Sequence, residues 1–303
     1  MIKRKHHYVW RKYLKAWAID DQIYCKRNGK VFKTNLENVA AEKDFYIINS
    51  LSSEDIAMVR KLCIEPMTNA VMKDINSKWV AMFDFVLTFR NSPISKKIPD
   101  DLKLQFENKI QNFEEEMQCR FEEMGSPFLD ELRNGDTSFY DDEDSNMSFN
   151  AFLAMQYFRT KKMQQGVIEA TSRFPPLRID RLWKIMAQIF ATTVGATLSS
   201  LRNEFKCVLL HNQSIRPFIT GDQPVINLHS TYSKKLNEPP VDLELYYPLS
   251  PTLALLLTKS QAYETLRRRV VSENDASIYN QKIIEASEEQ VYASSASLLN
   301  GIE

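Results

Sequence analysis

Phe218-Ile219-Thr220-Gly221-Asp222-Gln223-Pro224-Val225-Ile226 is an apolar strand that stops at an acid, turns on a proline and resumes as an apolar strand. That places Asp222 at a strand end, where a rigid scaffold presents functional side chains. The same residue also builds Asx-turns, so a turn role stays open. Outward from this stretch, residues 205–211, 217–221, 225–228, 243–247 and 253–258 read as short apolar strands separated by turns. They make a mainly antiparallel sheet interrupted by a polar excursion at 230–242. Residues 273–286 return to helix, with Ala276, Tyr279, Ile283 and Ile284 on one face and Asn280 beside it, and 291–293 form a last strand.

Upstream, helical periodicity dominates. Ser52 and Ser53 are N-cap residues ahead of Ile56, Val59, Leu62 and Cys63, and Glu65-Pro66 breaks that pattern. Residues 78–90 are apolar almost all round, as in a buried or partner-covered helix. Leu102, Phe106, Ile110, Phe113, Met117, Phe121 and Met124 are spaced 4, 4, 3, 4, 4 and 3 residues apart. That stripe predicts a long helix at 100–124, packed on the preceding helix or forming a homodimer seam. The acidic, turn-rich stretch 134–148 predicts an exposed loop, with Ser148 capping a helix over 149–165. In that helix Gln156 and Arg159 fall on the apolar stripe of Phe149, Phe152, Leu153 and Met163. Burying an unbonded polar group costs about 2–7 kcal/mol, so partners are required: a structural network or a polar pocket shared with Asp222. A further helix covers 180–203, where Gly195 predicts close packing.

At the N-terminus, Tyr13, Leu14 and Trp17 predict a short amphipathic helix from about Val9, with His6 and His7 just before it. Those histidines are either exposed capping residues or a general acid–base group. Asn28-Gly29 between two β-prone runs predicts a hairpin, and 45–48 another strand. The expected architecture is therefore α+β within one domain, 1–303. A helical region at 50–203 packs on a mainly antiparallel sheet formed largely by the C-terminal strands at 204–303, and the 20–48 segment joins that sheet region.

The chain carries 39 Lys+Arg against 39 Asp+Glu, so contact with nucleic acid needs a local patch rather than a basic chain. No run of about 18 apolar residues is present, which excludes a membrane-spanning helix. The N-terminus is basic but lacks a signal-peptide core. Cys25, Cys63, Cys119 and Cys207 lie far apart and read as free thiols of a reducing cytoplasm. No metal-binding motif or Gly-rich phosphate loop is found.

Three stretches then carry a resemblance: His6-His7-Tyr8-Val9 with Tyr13-Leu14, the Phe218–Val225 segment, and Tyr247-Pro248-Leu249-Ser250-Pro251. With Gln156–Thr160, Tyr279-Asn280 and Val291-Tyr292, they resemble the family catalogued as domain of unknown function 4238 over nearly the whole chain. The family often has proline where this chain has Trp10. The resemblance implies that one fold unites the N-terminal histidines, the Gln156/Arg159 helix and the Asp222 strand end; it implies no activity.

His6 or His7, Gln156, Arg159 and Asp222, with Glu65 and Asn280 beside them, suit phosphodiester chemistry. Histidine would move the proton, arginine would stabilise phosphorane charge, and the acid would either bind Mg2+, as Asp222 with Glu65, or orient the histidine. The expectation is a nuclease-type hydrolase acting on nucleic acid, of the bacterial toxin or antiphage defence kind. Two alternatives stay open: a non-catalytic scaffold with a buried polar network, and a binder of a nucleotide-like small ligand.

Overall fold

The computed structural model describes residues 2–46, 51–93, 97–172, 178–229, 243–263 and 267–301. Ile47-Ile48, the 230–242 excursion and the side chains of Leu87 and Phe89 lie outside the described residues.

Strand β1 (Lys5–His7) leads into helix α1 (Arg11–Leu14) and a 3-10 turn at Lys15–Trp17. The predicted hairpin is present as β2 (Gln22–Arg27) and β3 (Lys30–Asn35). Asn28 and Gly29 join them at φ +52° and +72°, the doubly left-handed turn whose twist matches paired strands. Strand β4 (Ala41–Lys43) pairs antiparallel with β1, His6 opposite Glu42. Phe45 and Tyr46 sit in the turn after β4, not in the strand expected at 45–48. The chain turns out of the strand at Asp44, whose φ is +61°.

Helix α2 (Ser53–Val59) starts with a reciprocal cap: Ser52 Oγ accepts the Asp55 N–H and the Asp55 carboxylate accepts the Ser52 N–H. It loosens into a π turn at Arg60–Ile64 and stops before Pro66. Helix α3 (Ala70–Asn91) buries Val80, Phe83 and Val86 but exposes Phe85, so it is amphipathic rather than apolar all round. Helix α4 runs from Asp100 to Arg133, through Pro127 and nine residues past the predicted end. Its Phe113 meets Phe83 of α3 edge-on at 5.7 Å. Leu102 and Phe106, at its start, remain 41% and 42% exposed.

The helix expected at 149–165 is two helices. Asp142, not Ser148, caps α5 (Glu143–Phe158) by accepting the Ser145 N–H. The chain breaks at Arg159-Thr160, and Thr160 Oγ1 caps α6 (Lys161–Thr171) through the Met163 N–H. Helix α7 (Ile179–Ser200) crosses α5 closely: a Cβ on Gly195 would lie 3.0 Å from Ala151 Cα. On the other side of α5, a Cβ on Gly125 of α4 would fall 2.1 Å from the Phe152 ring.

The C-terminal strands are β5 (Lys206–Asn212), β6 (Thr220–Gly221), β7 (Ile226–Asn227), β8 (Leu245–Ser250), β9 (Leu253–Thr258), β10 (Arg268–Val271) and β11 (Gln290–Ala293). They divide between two sheets. One has the order β10-β5-β9-β8-β7, antiparallel except for the parallel β10–β5 edge. The other has the order β3-β2-β11-β6, so the N-terminal hairpin joins β11 rather than the large sheet. The fold is α+β with mostly antiparallel sheets. Successive side chains of a strand point to opposite faces. Accordingly Leu209, Leu255 and Tyr247 pack toward α1, α4 and α5, while Leu210, Leu256 and Tyr246 pack toward α8 (Glu273–Ala286). A separate apolar core joins α2, α3 and α7.

Candidate functional site

Asp222 follows the two-residue β6. It is 1% exposed, and its carboxylate accepts three backbone N–H bonds: Oδ1 from Glu288 at 2.7 Å, Oδ2 from Glu289 and Gln290 at 2.8 and 2.9 Å. Its own N–H donates to the Gln290 carbonyl. Gly221 before it has no side chain because Ser287 Oγ stands 2.0 Å from where a Cβ would be. Burial pushes the Asp222 carboxyl up to about 6, while the three N–H groups pull it down. The residue is thus a clamp tying the α8–β11 connection to β6, not a free catalytic or metal-binding carboxylate. Beside it, Lys161 pairs with Glu42 and Glu289, and Lys162 with Glu288, so the lysines near the clamp are matched by acids.

Three other expected site residues also serve the backbone or lie elsewhere. His6 is fully buried: its Nδ1 accepts the Tyr46 N–H at 2.8 Å and its Nε2 faces the Lys3 carbonyl at 3.0 Å. Those partners set the neutral tautomer with the proton on Nε2, and burial lowers its basicity further. Asn280 accepts the Ile219 N–H and donates to the Pro217 carbonyl, fixing the chain just ahead of β6. Glu65 is exposed at a helix end, where its backbone carbonyl accepts from Lys73 Nζ. Gln156 is buried as expected, and its Nε2 finds no hydrogen-bond acceptor among the described residues. Among the described residues no group of three or more His, Cys, Asp or Glu is placed to hold a metal ion.

His7 and Arg159 do come together. Arg159 is the C-cap of α5 and 4% exposed. Its Nη2 donates to the His7 carbonyl at 2.8 Å, its Nε to Tyr46 Oη at 3.0 Å, and its Nη1 to Glu122 Oε1 of α4 at 2.6 Å. This answers the demand for partners raised by its place on an apolar stripe. Above the network lies a groove of about 580 Å³ between α1 and α4, lined by His7, Arg159, Glu115, Cys119 and Glu122, with Arg11, Lys12 and Lys15 at its α1 side.

The groove's titratable groups are moved in opposite directions. Burial, with the cations of Arg11, Lys5 and Arg159, lowers His7 to about 4. Its Nε2 lies 3.2 Å from the Glu37 carbonyl, which places the proton there and leaves the lone pair on Nδ1. Burial raises Glu115, against the pull of Arg159 and Lys3, and Glu122 adds to the rise. Burial also raises the Cys119 thiol, which argues against a reactive thiolate. Lys12 is held by Asp130 and Ser126, whereas Arg11 and Lys15 are exposed. Glu115 and Glu122 were not singled out from sequence. Their signal is the 115, 119, 122 spacing, a polar stripe beside the apolar stripe of α4.

Fold and groove together define an α+β protein with an imidazole and a carboxyl of opposed titration in one cation-edged cleft. The chain belongs to the family described as "Protein of unknown function (DUF4238)", which matches residues 5–297. Neither a curated protein nor a solved structure matches it.

Proposed function

We propose that the chain is a nuclease-type hydrolase of phosphodiesters working in the His7 groove. The observation that carries this reading is the convergence of His7, held neutral, and Glu115, raised toward its protonated form, on one cleft beside Arg11 and Lys15. Burial favours the neutral form of both groups, which leaves the imidazole able to accept a proton and inclines the carboxyl to keep one. A water attacks phosphorus and gives its proton to His7 Nδ1. The P–O bond to the leaving oxygen breaks, and that oxygen takes the proton of Glu115. Arg11 and Lys15 hold the phosphate charge, and the Arg159–Glu122 pair fixes the cleft's floor. The four free thiols support a cytoplasmic setting, where a toxin or antiphage effector would act.

A second reading has its own support: His6, Asn280 and Asp222 are all engaged by backbone groups, as in a non-catalytic binding module. Incubating the purified chain with single- and double-stranded DNA and RNA separates the two. Cleavage that falls about a hundredfold or more in Glu115→Gln and in His7→Gln, with both variants folded, supports hydrolysis. Binding without cleavage of any polynucleotide favours the binding module.

A further inference from the structure

A second groove, of about 730 Å³, opens where the C-terminus of α4 meets the ends of β5 and β8. Its charged and titratable lining is Lys15, Arg133, His211 and Arg268, and among the described residues no aspartate or glutamate lines it. In a chain with equal numbers of acids and bases, a cleft of one sign is the feature to explain. Two of its cations are held in place by the fold. Arg133 donates to the Leu249 and Tyr13 carbonyls at 3.1 and 2.9 Å, and Arg268 to the Gly135 carbonyl at 2.6 Å. Neutral carbonyls position these guanidiniums without cancelling their charge, which leaves it for a ligand. His211 Nε2 is buried and has no hydrogen-bond partner among the described residues. Among the described residues Lys15 pairs only with Asp21, 3.6 Å away with both side chains exposed, so that pair is weak.

Lys15 also lines the His7 groove, so the two clefts adjoin at this residue. From this we infer that the His211 groove is a phosphate-binding subsite that takes the backbone of a polynucleotide strand whose neighbouring phosphodiester lies in the His7 groove. The inference rests on the nuclease reading for its ligand class, but it concerns binding and is measured without turnover. Phosphate contacts of this kind position a strand without reading its bases.

The test uses the full chain carrying Glu115→Gln, which keeps the probe intact, and a fluorescein-labelled oligothymidylate of about a dozen nucleotides. Anisotropy is followed as salt is varied, and unlabelled thymidine monophosphate is the competitor. The expected result is that the oligonucleotide binds at least about tenfold tighter than the monophosphate. Arg268→Glu and Lys15→Glu each weaken it about tenfold or more, and each makes the log–log salt slope shallower by about 0.7, one single-strand phosphate contact. His211→Glu, which leaves the Arg268–Gly135 bond in place, weakens it likewise. Lys30→Glu, at the exposed tip of the β2–β3 hairpin, changes little. The inference is overturned if the monophosphate competes equally, if the groove variants bind like the parent, or if Lys30→Glu costs as much as they do. Weakened binding in the groove variants, with no cleavage by the native chain, would end the hydrolase reading and keep the subsite. Cleavage with unaffected binding in those variants would do the reverse.

Discussion

Asp222 and His7 sit at comparable places, each at the end of a short strand, yet the fold treats them oppositely. Asp222 is closed: both carboxylate oxygens are taken by three N–H groups more than sixty residues away in sequence. His7 is anchored through the carbonyl that receives Arg159 and through Nε2 at the Glu37 carbonyl, its Nδ1 keeps a lone pair, and the residue lines a cleft. A polar residue at a strand end therefore reveals function only once its hydrogen bonds are counted. Where the backbone consumes them the residue builds structure, and where capacity remains it can meet a ligand.

Substitutions sharpen this contrast. The largest effect is expected at the clamp. Asp222→Ala strands three N–H donors, that of Gln290 in a buried bond and those of Glu288 and Glu289 in part-buried ones. The loss is on the order of 3–6 kcal/mol in urea unfolding once the partly wet donors are discounted. Arg159→Met comes next, at about 3 kcal/mol, because it leaves Glu122 without its partner; Glu122 keeps some water, which limits the cost. Smaller again is a pH effect from His7. Its folded pKa lies near 4, below the ordinary 6.5, so the unfolded chain binds the proton first. The stabilisation is full above about 6.5 and lost as pH falls toward 4. Asp222, raised to about 6, takes its proton earlier in the folded chain and works the other way. The His7 effect is therefore read as a difference in urea midpoints: on acidification across that window the native chain should lose stability relative to His7→Gln. The smallest effect is expected on the rim, where Arg11→Ala should shift unfolding by less than about 0.5 kcal/mol. A large loss there would break the contrast, since it would make the groove edge a structural part.

Much of the architecture was legible because long helices repeat their apolar positions over several turns, as at Leu102–Met124 and Leu182–Leu198. The hairpin was legible because Asn28-Gly29 suits a doubly left-handed turn. Strand β10 was hidden by Arg267-Arg268-Arg269, which reads as surface although the strand pairs along the edge of β5. The start of α5 was misplaced because Asp142 and Ser148 are both competent caps, and only tertiary packing selects between them. At the site, the burial of Gln156 and Arg159 followed from helix phase. Their partners did not, since Glu122, Tyr46 and the His7 carbonyl reach Arg159 from separate elements. The resemblance carried by the His6–Leu14, Phe218–Val225 and Tyr247–Pro251 stretches is borne out by the family match over residues 5–297.

The most direct test of the division between clamp and groove is polynucleotide cleavage per folded molecule, with the folded fraction taken from urea titrations of the same samples. Asp222→Asn should lower the folded fraction and leave cleavage per folded molecule within about twofold of the native chain. His7→Gln should stay folded and lose about a hundredfold or more. Loss of cleavage in fully folded Asp222→Asn, with His7→Gln unchanged, would contradict the account and return the chemistry to the strand end at Asp222.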